Sequence, residues 1–125
     1  MAKLIKNNAY LQGHEEDSIK ALLDNGFDVE LIVPSHTPHN NNPDLLLNEK
    51  IWELKTPITS KKDSLERKIK KGSKQSENII VDIRFCRVPE PDAIRTLTKR
   101  FRNSRKVKSL LIITSGGRVE KIMKK

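Results

Sequence analysis

Cysteine occurs once in the 125 residues, at Cys86, so no disulfide framework can form within the chain and stability has to come from packing. Cys86 sits at the end of the apolar run Ile79-Ile80-Val81-Asp82-Ile83-Arg84-Phe85-Cys86, where a small buried thiol is expected. Aromatic residues make up only 4 %, and Trp52 is expected in the core, so base stacking is not an evident recognition mode. Nowhere do about 18 apolar residues follow one another, which argues against a membrane-spanning helix. The start, Met1-Ala2-Lys3-Leu4-Ile5, lacks the apolar stretch of a signal peptide. The three histidines, His14, His36 and His39, have neither a paired cysteine nor a ligand spacing, and read as exposed polar side chains. No internal repeat and no low-complexity linker is found. These absences describe a domain built to work in water, in a reducing cytoplasm.

What the chain has in excess is positive charge: 25 Lys and Arg against 16 Asp and Glu, a formal +9. A folded surface with that imbalance favours a polyanionic partner. The length suits one domain, residues 1–125, with a single sheet-and-helix core. The apolar residues are bunched into periodic runs, which argues against disorder.

The periodicity predicts a helix over residues 14–25, with Ile19, Leu22 and Leu23 on one face and Gly26 to end it. Residues 27–33 alternate like a half-buried strand, and residues 34–42 are rich in turn formers and read as an exposed loop. Two short strands, 45–47 and 51–55, flank a tight turn. A basic helix over 61–75, a strand over 78–85, a helix over 90–103 and a closing hairpin of 109–114 and 118–123 complete the order. That order is α/β: a central mixed β-sheet flanked by helices.

The first hairpin carries the chemistry. With a two-residue loop at Asn48-Glu49, Leu46 faces Ile51, Leu45 faces Trp52 and Asp44 faces Glu53. Lys55 then shares the face of Glu53, while Leu45, Leu47, Trp52 and Leu54 point the other way. Two carboxylates set opposite each other repel, and a divalent cation is the obvious compensation. Asp44 and Glu53 are the expected metal ligands in an open oxygen site of the kind Mg²⁺ prefers, with Mn²⁺ or Zn²⁺ as alternatives, and Lys55 beside them is placed to orient water and stabilise charge on phosphorus. Asp44 competes with a turn role after residues 40–43, and Glu15 competes with its neighbours Glu16 and Asp17.

Pro43-Asp44, eight intervening residues and Glu53-Leu54-Lys55 resemble the signature of the PD-(D/E)xK nuclease superfamily. The same two words recur at Pro91-Asp92 and Glu66-Arg67-Lys68, but on polar helical stretches without strand context. The resemblance extends to Glu15, eleven positions before Gly26, and to Gln75 on the helix after the ExK strand. It implies a restriction-endonuclease-like core with Glu15, Asp44, Glu53, Lys55 and Gln75 as the catalytic set. A narrower resemblance runs from residues 42–46 through Trp52-Glu53-Leu54-Lys55-Thr56-Pro57, the basic helix and Lys74-Gln75-Ser76-Glu77-Asn78. It is similar to the C-terminal toxin domains of contact-dependent growth inhibition (CdiA) proteins, commonly tRNA nucleases. The resemblance implies a tRNA substrate, a cognate immunity protein as partner, and a toxin secreted as part of a larger protein and active in the target-cell cytoplasm; an orphan gene product would be cytoplasmic.

Thr56, Lys70, Lys71 and Lys74 are the expected substrate contacts, within a wider basic rim that includes Arg67, Lys68, Arg100 and Arg105. Two other readings stay open: a phage or mobile-element DNA endonuclease or resolvase, and a basic module that binds nucleic acid without cutting it.

Overall fold

The computed structural model describes residues 2–6, 13–32 and 44–124, together with the backbone but not the side chain of Asp44. The 34–42 segment read as a loop, with His36 and His39, and Pro43 lie outside the described residues.

Ten elements follow in the order β1 (Leu4–Ile5), α1 (His14–Asp24), β2 (Val29–Ile32), β3 (Asp44–Leu47), β4 (Lys50–Lys55), α2 (Lys62–Gly72), β5 (Asn78–Asp82), α3 (Glu90–Asn103), β6 (Ser109–Ile113) and β7 (Val119–Ile122). The strands form one mixed sheet in chain order, β1 to β7. Strands joined through a helix pair parallel (β1 with β2, β4 with β5, β5 with β6), and the others pair antiparallel. Where the described residues supply the connection this follows from its length: the short β3–β4 and β6–β7 links reverse the chain, whereas a helix carries it back to the same end of the sheet.

Alternation along the strands divides the core in two. On one face Ile19 and Leu22 of α1 pack with Val29, Leu31, Leu45, Leu47, Trp52, Leu54, Ile80, Leu111 and Ile113. On the other, Leu65 and Ile69 of α2 and Leu97 and Phe101 of α3 pack with Ile79, Val81, Leu110 and Ile112. Strand β5 lies between the two layers and is buried at all five positions, which is why its sequence reads as a continuous apolar run.

Three boundaries differ from expectation. β1 was not anticipated: two residues carry no period, and the strand exists because Leu4 and Ile5 pair with Val29 and Glu30 while the Lys3 amide donates to Asp28. α2 stops at Gly72 rather than at residue 75, where the Gln75 and Ser76 amides both turn back to the Gly72 carbonyl. Gln75 therefore stands in the turn after the helix, not on it. β5 ends at Asp82 rather than at 85, because the Asp82 carboxylate accepts the Arg84 backbone amide and bends the chain. Cys86, in that bend, is half-buried against the α2–α3 layer, and burial pushes its thiol pKa up, away from reactivity.

Candidate functional site

The β3–β4 hairpin has the expected register. Leu45 pairs with Trp52, Leu46 with Ile51 and Leu47 with Lys50 around a two-residue turn. Asn48 and Glu49 both have positive φ, 48° and 69°, as a type I′ turn requires. The paired ladder ends at Leu45 and Trp52; Asp44, the next residue of β3, pairs on its other side with Ile32 of β2. Trp52 and Leu54 enter the α1 layer, so Glu53 and Lys55 emerge on the side of α2 and α3, in register with Ile79 and Val81.

On that side the strand is covered more than alternation alone suggests. Glu53 is 2 % exposed, and Lys55 is half-buried with its stem against the end of α2. A Cβ on Gly72 would stand 3.6 Å from Lys55 Cε and 3.0 Å from Ile79 Cδ1, so a glycine there lets the helix end come down onto the strand. The Lys55 ammonium lies 3.4 Å from Glu53 Oε1 and donates to Gln75 Oε1 at 3.1 Å. Three of the five expected catalytic side chains, Glu53, Lys55 and Gln75, are thus gathered from β4 and the turn after α2. Ser76 and Asn78 hold that turn by donating to the Ile51 carbonyl, both at 3.0 Å.

Glu15 comes from the first turn of α1. It is 6 % exposed, whereas Glu16 and Asp17 are exposed, so burial separates the three acids that the sequence left equivalent. Glu15 lines a cleft of about 750 Å³ with His14, Thr56, Ser64 and Lys68. Thr56 directly follows Lys55, and Lys68 on the cleft wall feels the Lys55 charge, so the cleft lies beside the Glu53–Lys55–Gln75 group, none of which lines it.

Lys68 was read only as part of the basic rim, yet it belongs to the cleft wall. Burial, then the charges of Lys55 and Lys71, lower its pKa. Its position was legible: Ser64 and Lys68 are one helical turn apart and share a face of α2. Lys70, Lys71 and Lys74, the expected substrate contacts, are exposed and line an adjoining groove of about 410 Å³ with Ser64, Arg67 and Lys68. The two hollows share Ser64 and Lys68, so the cleft adjoins the lysine-lined groove.

A third buried acid lies outside the motif. Asp82, fully buried at the end of β5, accepts Ser18 Oγ at 2.6 Å, and the Arg84 guanidinium forks onto it at 3.0 Å (Nε to Oδ1) and 2.8 Å (Nη2 to Oδ2). The hydrogen bond to Asp82 raises the Arg84 pKa further. Arg84 Nη2 also donates to the Asp17 carbonyl at 3.0 Å. This cluster ties α1, and so Glu15, to the sheet; a polar pair inside an apolar run gives no hint of its tertiary partner.

Among the described residues no three His, Cys, Asp or Glu side chains are gathered as a metal cage, and no helix is long and apolar enough to cross a membrane. The donor chemistry beside Lys55 is a hard carboxylate oxygen without thiolate or imidazole. That suits Mg²⁺, which keeps several waters and needs only one or two protein carboxylates, better than Zn²⁺.

Residues 41–119, well over half of the chain, match the family model of the contact-dependent growth inhibition CdiA C-terminal domain. The chain belongs to that family. No curated protein matches it. Among solved structures the fold is similar to a chain of the CdiA-CT/CdiI toxin and immunity complex from Burkholderia pseudomallei, with a TM-score of 0.73 and 20 % identity over 97 % of this chain and 98 % of that one. The matched region runs from two residues before Pro43 to β7 and takes in Glu53, Lys55 and Gln75, whereas Glu15 precedes it.

Proposed function

We propose that the chain is a single-domain, metal-dependent nuclease toxin with a PD-(D/E)xK core, and that its substrate is tRNA. The observation that carries this reading is the convergence of Lys55 on Glu53 at 3.4 Å and on Gln75 at 3.1 Å, at the end of β4, where the next residue, Thr56, lines the Glu15 cleft. Family membership and the basic grooves on α2 support it.

In this reading Glu53 and Asp44 are the residues that would hold one divalent cation, Mg²⁺ or Mn²⁺, which would supply Lewis-acid charge against the scissile phosphate. Lys55 sets a fixed ammonium beside the non-bridging oxygens, where negative charge grows as the new P–O bond forms. Gln75 orients that ammonium by accepting a hydrogen bond from it at Oε1. Glu15, on the cleft wall, takes the proton of the attacking water as the water oxygen bonds to phosphorus. The opposite P–O ester bond breaks, its oxygen leaves as the hydroxyl of the departing strand after taking a proton from solvent, and Thr56 and Lys68 hold the phosphate. Lys70, Lys71 and Lys74 engage neighbouring phosphates. The buried position of Glu53 keeps these charges in a medium where they act more strongly than in water.

The biological setting follows from the family: delivery as the tail of a larger secreted protein, action in the cytoplasm of a target cell, and neutralisation in the producer by a cognate immunity protein. Side-by-side incubation with tRNA, duplex DNA and branched DNA tests the substrate. Metal-dependent cleavage of tRNA alone is the expected result; preferential cutting of branched DNA would replace the toxin with a resolvase, and tight binding without cutting would leave a binding module. A 2′-deoxy substitution at the cleaved nucleotide separates attack by water, which tolerates it, from attack by the substrate's own 2′-hydroxyl, which does not.

A further inference from the structure

The chain has one Trp, one Tyr and three Phe. Trp52 and Phe101 are buried in the two layers of the core, and Phe27 packs against the first. Phe85 belongs to neither layer and is only half-buried. Instead it carries His14, whose ring lies 3.8 Å away, centroid to centroid, at an interplanar angle of 14°. His14 is exposed and stands in the wall of the same cleft as Glu15, Thr56 and Lys68. A flat ring stacked on an aromatic yet left exposed, at the edge of a hollow lined by a cation, contributes little to folding.

Both halves of the stack are fixed by one buried group. Asp82 holds Ser18, one turn along α1 from His14, and also grips Arg84, the residue before Phe85. Arg84 adds a bond to the Asp17 carbonyl, and its guanidinium carbon lies 5.4 Å from the centre of the Phe85 ring. The rings are therefore held in place before any ligand arrives, which lowers the ordering cost of binding.

We propose that the His14–Phe85 stack is a nucleobase shelf beside the scissile phosphate, and that the substrate presents there a base whose face is open. The proposal rests on the nuclease reading and narrows its substrate to single-stranded or looped segments, since both faces of a base inside a duplex are already covered by its neighbours. The base lies on His14 while its phosphate reaches Thr56 and Lys68. Stacking tolerates any base, so the shelf selects for strandedness more than for sequence.

The test needs no turnover. Short RNA strands carrying 2-aminopurine, whose fluorescence is quenched on stacking, are titrated with the protein in EDTA, beside the same sequence as a blunt duplex. Wild type should quench the single strand and bind it more tightly than the duplex. His14→Leu, which keeps an apolar contact on Phe85, should lose the quenching and weaken single-strand binding about tenfold, with the melting temperature within about 2 °C of wild type. His14→Tyr should restore both. Quenching by His14→Leu equal to wild type, no recovery in a folded His14→Tyr, or equal binding of duplex and single strand would overturn the shelf. Quenching that depends on His14, in a protein that cuts no nucleic acid when Mn²⁺ is added, would leave the shelf standing and sink the nuclease.

Discussion

Two buried carboxylates stand near the C-terminal ends of neighbouring parallel strands, Glu53 on β4 and Asp82 on β5, each with a cation two residues further along the chain. Their surroundings differ. Asp82 is clasped by a guanidinium fork, a backbone amide and a hydroxyl at 2.6 to 3.3 Å, and it faces α1. Glu53 meets a lysine at 3.4 Å, and that ammonium is shared with Gln75 of the turn after α2. Arginine presents a rigid, bidentate fork suited to locking a carboxylate; lysine is a point charge on a flexible stem that can follow a phosphate as charge moves. The same local spelling, an acid and a base two residues apart, thus serves architecture on β5 and is suited to chemistry on β4.

The contrast is open to mutation. Lys55→Met should lower cleavage per folded molecule about 10³-fold, in the range seen for loss of a transition-state charge partner, beyond the stability lost when the buried Glu53 carboxylate is left without its ammonium. Asp82→Asn should act on stability alone: chemical denaturation should show a loss of about 3 kcal/mol, because a half-buried guanidinium loses its counter-charge, and cleavage per folded molecule should fall only as far as α1 and Glu15 shift. An Asp82 variant that is fully stable but inactive would erase the distinction.

Lys68 tests the cleft from the other side. Its pKa is lowered by burial and by Lys55 and Lys71, so the folded state disfavours its protonated form, and this destabilising contribution is fully present at neutral pH. Stability from this group rises as pH climbs through the lowered pKa toward 10.5, where the unfolded chain also releases the proton. Lys68→Met should therefore melt higher than wild type at pH 7, with the gain shrinking in alkaline buffer, and should weaken substrate binding. A lower melting temperature at pH 7 would contradict the electrostatic account.

The smallest effect belongs to the turn that sets the register. Glu49 adopts φ 69°, where side chains are strained, so Glu49→Gly should stabilise the protein by about 1 kcal/mol in a denaturant titration and leave cleavage unchanged.

The hairpin was legible because two local signals agree: alternation put Trp52 and Leu54 on the face opposite Glu53 and Lys55, and a two-residue turn fixed the pairing. Gln75 was found by its place after the ExK strand, although the helix proved shorter. What stayed hidden depends on tertiary contact. Two residues of β1 have no period; Glu15, Glu16 and Asp17 look alike until packing buries one; and nothing in a scarcity of aromatics predicts that Phe85 and His14, far apart in sequence, meet face to face. Asp82 and Ser18 likewise become partners only when α1 lies on the sheet.

The most direct test is a divalent-metal titration of tRNA cleavage by wild type and Glu53→Gln, which keeps the side chain's size and removes its charge. The account predicts no cleavage by wild type in EDTA, saturable activity with Mg²⁺ or Mn²⁺, and a loss of about 10³-fold per folded molecule in Glu53→Gln at every metal concentration. Wild-type cleavage that persists in EDTA, or a Glu53→Gln protein that cuts at the wild-type rate, would contradict it.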